Sequence, residues 1–279
     1  MATADEPAVA GAGRPTEAGL TALNSLDDGR GGLEDSGVNS SLLAEPEAAP
    51  DPARRVVGMT TSKNVLVIGG HGRVALRALP LLTKAGHNVE ALIRKPEYEA
   101  DIVALGAKPR IAEMLDFDDA AWDELLRDKD VIIWAAGNGG RNGVDQTYAI
   151  DRDAAIASID AATRAASKPR YLMVSFATSF VHPIDEEDPF HHYVLAKRAT
   201  DEHLQGTSLD YAIVGPGLLT DEDAPAGMQR FNPNNGVPES TETSRELVAQ
   251  VLAHLVDVEQ LPEERFIAFK DGQDPVASL

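Results

Sequence analysis

The sequence predicts an α/β domain built on a doubly wound, mostly parallel sheet, and three observations predict it. Short apolar runs recur at "NVLVIG", "NVEALIR", "PRIAEM", "DVIIWAAG", "RYLMVS" and "DYAIVG". Amphipathic segments separate them, among them Arg73–Ala85, Ala120–Arg127, Tyr148–Ala166 and Tyr193–Leu204. The first apolar run breaks into the glycine-rich turn "GGHGRVA" and then becomes helical. Strand and helix alternating six times imply parallel pairing with helices on both faces. Ligands of such sheets lie beyond the carboxyl ends of the strands. A last helix near Glu242–Val256 and a late strand, "RFIAFK", complete the domain.

Composition sets the boundaries. From Met1 to Gly58 the chain carries ten acidic and four basic residues and no aromatic one. Such a segment cannot bury enough apolar surface to offset its ordering entropy. Residues 1–60 are therefore expected to be a disordered acidic extension and residues 61–279 the folded domain. "MTTSKNVLVIGG" would also serve as a natural domain start at Met59.

The formal net charge of −20 argues against nucleic acid or an anionic membrane as a partner. With no cysteine, disulfides, thiolate metal sites and a cysteine nucleophile are excluded. The N-terminus lacks a secretory h-region, and no apolar run approaches the roughly 20 residues of a membrane span. A cytoplasmic protein, a monomer or homodimer acting on a small molecule, is the expectation.

Within "GGHGRVA", Gly69 permits the tight turn off the strand and Gly72 lets backbone approach a pyrophosphate. Ala75 lets the helix pack on the sheet. His71 and Val74 complete the loop, and the helix N-terminus offers N–H groups to phosphate. The second strand ends in Arg94 and Lys95, where an NAD-binding fold usually has a carboxylate for the ribose 2′-hydroxyl. With Arg73 in the loop, these cations suit the 2′-phosphate of NADP rather than NAD. Arg94 and Lys95 as ordinary solvated charges are the alternative. Asp116, after the third strand, either accepts from the adenine amino group, with Phe117 at the edge of that pocket, or caps the next helix. Ala135, Ala136 and Gly137 end the fourth strand with small residues, where backbone must approach a flat ligand.

The order of these features resembles the short-chain dehydrogenase/reductase superfamily, and within it the atypical NAD(P)H-binding group allied to NmrA-like proteins and biliverdin/flavin reductases. The likeness runs from Asn64 to Leu279 and includes "YVLAKRATDEHL" and "LDYAIVGPGLLTD". It implies a Rossmann-like fold binding NADP(H). The superfamily's Tyr-x-x-x-Lys pair is matched by Tyr193 and Lys197, whose spacing puts both on one helix face. The resemblance gives Tyr193 the proton transfer at the substrate oxygen. Lys197 would hold the nicotinamide ribose and lower the phenol pKa.

Ser175 is the candidate for polarising a carbonyl oxygen, with Thr178 second; Phe176 stands where active members often have another serine. Asp151 replaces the usual helix asparagine, either holding a water toward Lys197 or meeting backbone at a helix irregularity. Pro216 and Gly217 stand where the family lines the nicotinamide. Gly215 replaces an arginine common in relatives, a change that widens the pocket or removes a substrate contact. His191 and His192 lack a metal-binding spacing, so no metal is expected. The implied function is an NADP(H)-dependent oxidoreductase acting on a small carbonyl, quinone or flavin-like substrate. Epimerase or dehydratase chemistry on the same site and a non-catalytic NADP(H) sensor are the alternatives.

Overall fold

The computed structural model describes residues 61–137, 139, 143–182, 186–188 and 190–279. The expectations for residues 1–60 and for a start at Met59 lie outside the described residues. In chain order, β1 (Asn64–Ile68), α1 (Ala75–Lys84), β2 (Asn88–Ile93), α2 (Glu99–Ala104), β3 (Lys108–Ile111), α3 (Asp119–Leu126) and β4 (Val131–Trp134) form the first half. Then α4 (Val144–Tyr148) passes through a π-helical segment, Ala149–Ala154, into α5 (Ala155–Arg164). β5 (Arg170–Val174), α6 (His191–Gln205), β6 (Tyr211–Pro216), β7 (Leu219–Thr220) and β8 (Gly227–Arg230) follow. β9 (Thr243–Ser244), α7 (Arg245–Asp257) and β10 (Phe266–Gly272) end the fold.

The main sheet has the order β3-β2-β1-β4-β5-β6-β10-β8. Every neighbouring pair is parallel except β10 with β8. The chain winds outward from β1 through β2 to β3, then restarts at β4 and winds the other way. The carboxyl ends of β1 and β4 are thus the switch point where such sheets bind ligands.

Residue alternation along the strands builds two cores. Val65 and Val67 of β1 face a cluster with Leu79 and Leu82 of α1 and Val251 and Leu252 of α7. Leu66 and Ile68 face the other cluster, with Trp122, Leu126 and Ile159. A strand buried on both faces reads as a continuous apolar run, which is why "VLVI" and "VIIW" stand out in the sequence. Each fully buried Leu or Ile contributes about 1.5–3 kcal/mol of transfer free energy.

The predicted doubly wound sheet is present, with differences at its margins. The first helix starts at Ala75 and not Arg73, because Gly72 to Val74 complete the turn. α2 and the strands β7, β8 and β9 lie in stretches with no regular pattern. β7 and β9 are two-residue pairs and β8 is "GMQR", too short to carry an alternation. Among the described residues, no helix is long and apolar enough to cross a membrane.

Candidate functional site

The glycine loop leaves β1 through Gly69, at φ +82°, a conformation that suits glycine. A Cβ there would lie 2.6 Å from the Cα and N of Ala136, so the loop and the end of β4 touch through bare backbone. Gly72 donates to the Gly69 carbonyl at 2.8 Å, closing the turn. Together these surfaces floor a cavity of about 360 Å³ at the switch point. Gly69, His71, Gly72, Ala135, Ala136 and Gly137 line it, and Arg94 enters from the end of β2.

This cleft fits a dinucleotide. At Gly69 its floor is backbone that no side chain could share, the turn leading into α1 borders it, and a guanidinium stands at its rim. His71 stacks on Tyr98 with ring centroids 3.7 Å apart, and its Nε2 lies 2.9 Å from Asp101 Oδ2. Tyr98 also lines the cavity, so the pair forms one wall. Sequence reasoning passes over Tyr98 because it sits in a single 3₁₀ turn, Pro96–Tyr98, with no periodicity to mark it.

Several predicted residues lie elsewhere. Arg73 does not line the cavity. Its Nη1 is 2.6 Å from Asp221, a carboxylate that Arg77 and Arg245 also reach, at 3.3 and 3.0 Å. Lys95 pairs with Glu97 at 3.2 Å and lies over the Tyr98 ring, outside the cavity. Val74, buried at the start of α1, accepts backbone bonds from Arg77 and Ala78.

Asp116 and Phe117 are not in the cavity lining; Ala112, Glu113, Met114 and Leu115 are. The chain turns through a 3₁₀ segment, Met114–Asp116, just after β3, bringing the earlier residues to the edge. Phe117 instead packs edge-on against Trp122, with centroids 5.1 Å apart. The helix cap is Asp118, which accepts from Ala121 N at 2.9 Å.

A second group of predicted residues gathers around α6. Tyr193, half-buried, lies against Phe176, with centroids 5.6 Å apart and planes 30° apart. Lys197 is 2% exposed, and its Nζ donates to the Val174 carbonyl at 2.8 Å. Ser175 is buried at the end of β5, and its Oγ donates to Asp201 Oδ2 at 2.5 Å. Asp201 is a residue that sequence reasoning misses. The signal is its spacing, since Tyr193, Lys197 and Asp201 repeat every fourth residue along one face. Burial pushes the Asp201 carboxyl up to about 6, opposed by the Lys197 charge and by the Ser175 and Ser179 hydroxyls.

Asp151 is fully buried in the π-helical segment, and its backbone carbonyl accepts the Thr200 hydroxyl at 2.8 Å. Its Oδ1 lies 3.1 Å from where a Cβ on Gly137 would stand, so it backs the cavity floor. Pro216 accepts from Ala177 N at 2.8 Å, and at Gly217 the Thr241 carbonyl fills the space a Cβ would need. Any side chain at Gly217 would displace the strand crossing. Beside Gly215 the space holds Phe266 and Ala177, at 3.2 and 3.3 Å from a notional Cβ, so a side chain there would crowd both.

Comparison with known proteins places this geometry in a family. A model of NAD(P)H-binding proteins matches residues 69–259. The uncharacterized sugar epimerase YhfK of Bacillus subtilis is 29% identical over 223 residues, covering 76% of this chain and 96% of that one. A solved structure from Bacillus halodurans, assigned as an NAD-dependent epimerase/dehydratase, is 31% identical over 78% of this chain and 98% of that one, with TM-score 0.69. The anaerobillin reductase ChuY of Escherichia coli shares the fold at TM-score 0.60 and 23% identity, over 76% of this chain and 98% of that one. The class is the atypical short-chain dehydrogenase/reductase, with its oxidoreductase-like and epimerase-like members. The chain belongs to the NAD(P)H-binding family.

Proposed function

We propose that the protein is an NADP(H)-dependent oxidoreductase acting on a small carbonyl, quinone or flavin-like substrate. One juxtaposition carries the reading. The backbone-floored cavity with Arg94 at its rim lies at the switch point, and the next strand, β5, ends where Ser175, Lys197 and the Phe176–Tyr193 pair gather. When bound, the cofactor supplies the hydride.

The chain's own residues supply the rest. Gly69, Gly72, Ala135, Ala136 and Gly137 leave room for the pyrophosphate and nicotinamide halves. Arg94, which lines the same cavity as His71, receives the 2′-phosphate. Tyr193 delivers a proton to the substrate oxygen, and the Lys197 ammonium holds ribose hydroxyls and favours the phenolate. Phe176 presents an apolar ring beside Tyr193, suited to a flat, conjugated substrate.

A second reading is epimerase or dehydratase chemistry on the same residues, supported by the names of the Bacillus relatives. The test is to denature purified protein and identify any released nucleotide by mass spectrometry, then to screen for turnover. NADPH oxidation with quinones, flavins or aldehydes supports the reductase. Interconversion of nucleotide sugars without net NADPH change supports the epimerase. Tight NADPH binding with neither activity moves the assignment to a nucleotide sensor.

A further inference from the structure

The face of α6 that carries Tyr193 and Lys197 continues one turn further, to a residue that the proton-transfer scheme leaves unused. Asp201 is fully buried, and its Oδ2 lies 2.5 Å from the Ser175 hydroxyl oxygen. A serine hydroxyl has one proton, and giving it to a carboxylate leaves only lone pairs for a ligand. Ser175 in that state cannot donate to a carbonyl oxygen, which is the task its position suggests.

The surroundings of Asp201 bear on its charge. Lys197 stands one turn earlier on α6, and Glu202 is its neighbour on the same helix. From the segment after β5, the Ser175 and Ser179 hydroxyls face it. Across the π-helical segment, Asp151 meets the preceding residue, Thr200, through its backbone carbonyl. Burial is the strongest influence and brings the carboxyl up to about 6, so both protonation states are within reach near neutral pH.

We propose that Asp201 is a positioning residue that sets the direction of the Ser175 hydroxyl. As a carboxylate, Asp201 takes the hydrogen bond from Ser175. As an acid, it donates its own proton to Ser175 Oγ and frees the Ser175 proton for the oxygen of a bound carbonyl. This rests on the reductase reading above. In the reduction, hydride passes from NADPH to the carbonyl carbon, the π pair moves to oxygen, and that oxygen takes its proton from Tyr193. Ser175 and Asp201 exchange no net proton with the substrate.

Two measurements on the full chain test it, using wild type, Asp201→Asn and Ser175→Ala. The first needs no substrate: the Asp201 carboxyl carbon is followed by ¹³C NMR against pH, identified by its loss in Asp201→Asn. A midpoint near 6 that rises by about half a unit or more in Ser175→Ala is expected, since a donor to the charged form has gone. A midpoint indifferent to Ser175→Ala overturns the pairing. The second is NADPH oxidation with 1,4-naphthoquinone as the probe. Wild-type kcat/KM should fall about tenfold or more as pH rises from 5 to 8, as one oxyanion donor is withdrawn. That fall should shrink in Asp201→Asn and in Ser175→Ala to the same residual, the one due to the Tyr193 phenol, while NADPH affinity, read by nicotinamide fluorescence, stays within about twofold. A fall of undiminished size in Asp201→Asn overturns the proposal alone. A protein that neither binds NADPH nor oxidises it fails the reductase reading, and the proposal with it.

Discussion

Arg73, the cation inside the glycine loop, is held 2.6 Å from Asp221 and takes no part in lining the cavity that Arg94 enters. Two cations that look equivalent in the sequence therefore have different neighbours. Arg73, Arg77 and Arg245 share one carboxylate and pin the segment after β7 to the starts of α1 and α7.

Arg94→Ala should weaken NADPH binding at least about tenfold and leave NADH binding nearly unchanged, since a guanidinium–phosphate pair is lost. Arg73→Ala should cost less than about threefold for either nucleotide. Parallel fluorescence titrations decide it, and an Arg73→Ala loss as large as that of Arg94→Ala would return the phosphate to Arg73.

Gly69→Ala should damage both folding and cofactor binding. It forces an L side chain to φ +82° and puts a Cβ 2.6 Å from Ala136 backbone. Left-handed strain of about 1–2 kcal/mol and overpacking of about 1–3 kcal/mol add to roughly 2–5 kcal/mol. Gly143→Ala is the control, because Gly143 has φ +90° but no atom within 4 Å of a notional Cβ. Thermal melts should show the larger loss at Gly69; equal losses would mean that the close approach to Ala136 costs nothing.

Asp201 should make stability fall with rising pH. Its folded pKa, about 6, is raised above the ordinary carboxyl value of 3.8. The folded state thus holds an extra proton between those values, and stability declines as pH rises through that window. That difference corresponds to about 3 kcal/mol, or roughly 6–12 °C in Tm for a domain of this size. Asp201→Asn should lack this decline, so the gap between variant and wild-type Tm should open from pH 4 to pH 7. A constant gap would mean Asp201 titrates as an ordinary exposed carboxyl.

Tyr193→Phe keeps the ring beside Phe176 and removes the phenol proton. Turnover of a substrate found by screening should fall by roughly 10²–10⁴-fold, the usual share of a positioned acid, with NADPH affinity nearly unchanged. Lys197→Met should weaken both, because the ammonium is assigned to the ribose and to the phenol. Full activity in Tyr193→Phe would place the acid elsewhere.

The sheet and the loop are legible along the chain. β1 and β4 are buried on both faces and read as unbroken apolar runs. The glycines of "GGHG" mark backbone that must turn and be approached closely, and both properties are local. The i, i+4 spacing likewise puts Tyr193 and Lys197 on one helix face, because helical geometry alone fixes that relation. Which cation lines the pocket depends on contacts between distant parts of the chain. Arg73 and Arg94 differ through Asp221, which is 148 residues from Arg73 and arrives there because the chain returns after β7. Ala112–Leu115, and not Asp116 and Phe117, line the cavity because a single 3₁₀ turn, Met114–Asp116, shifts the register, and one turn leaves no periodic trace. Ser175 and Asp201 are joined for the same reason as Arg73 and Asp221. Strand pairing and helix packing set distances between residues far apart in the chain, and no pattern along the chain records them.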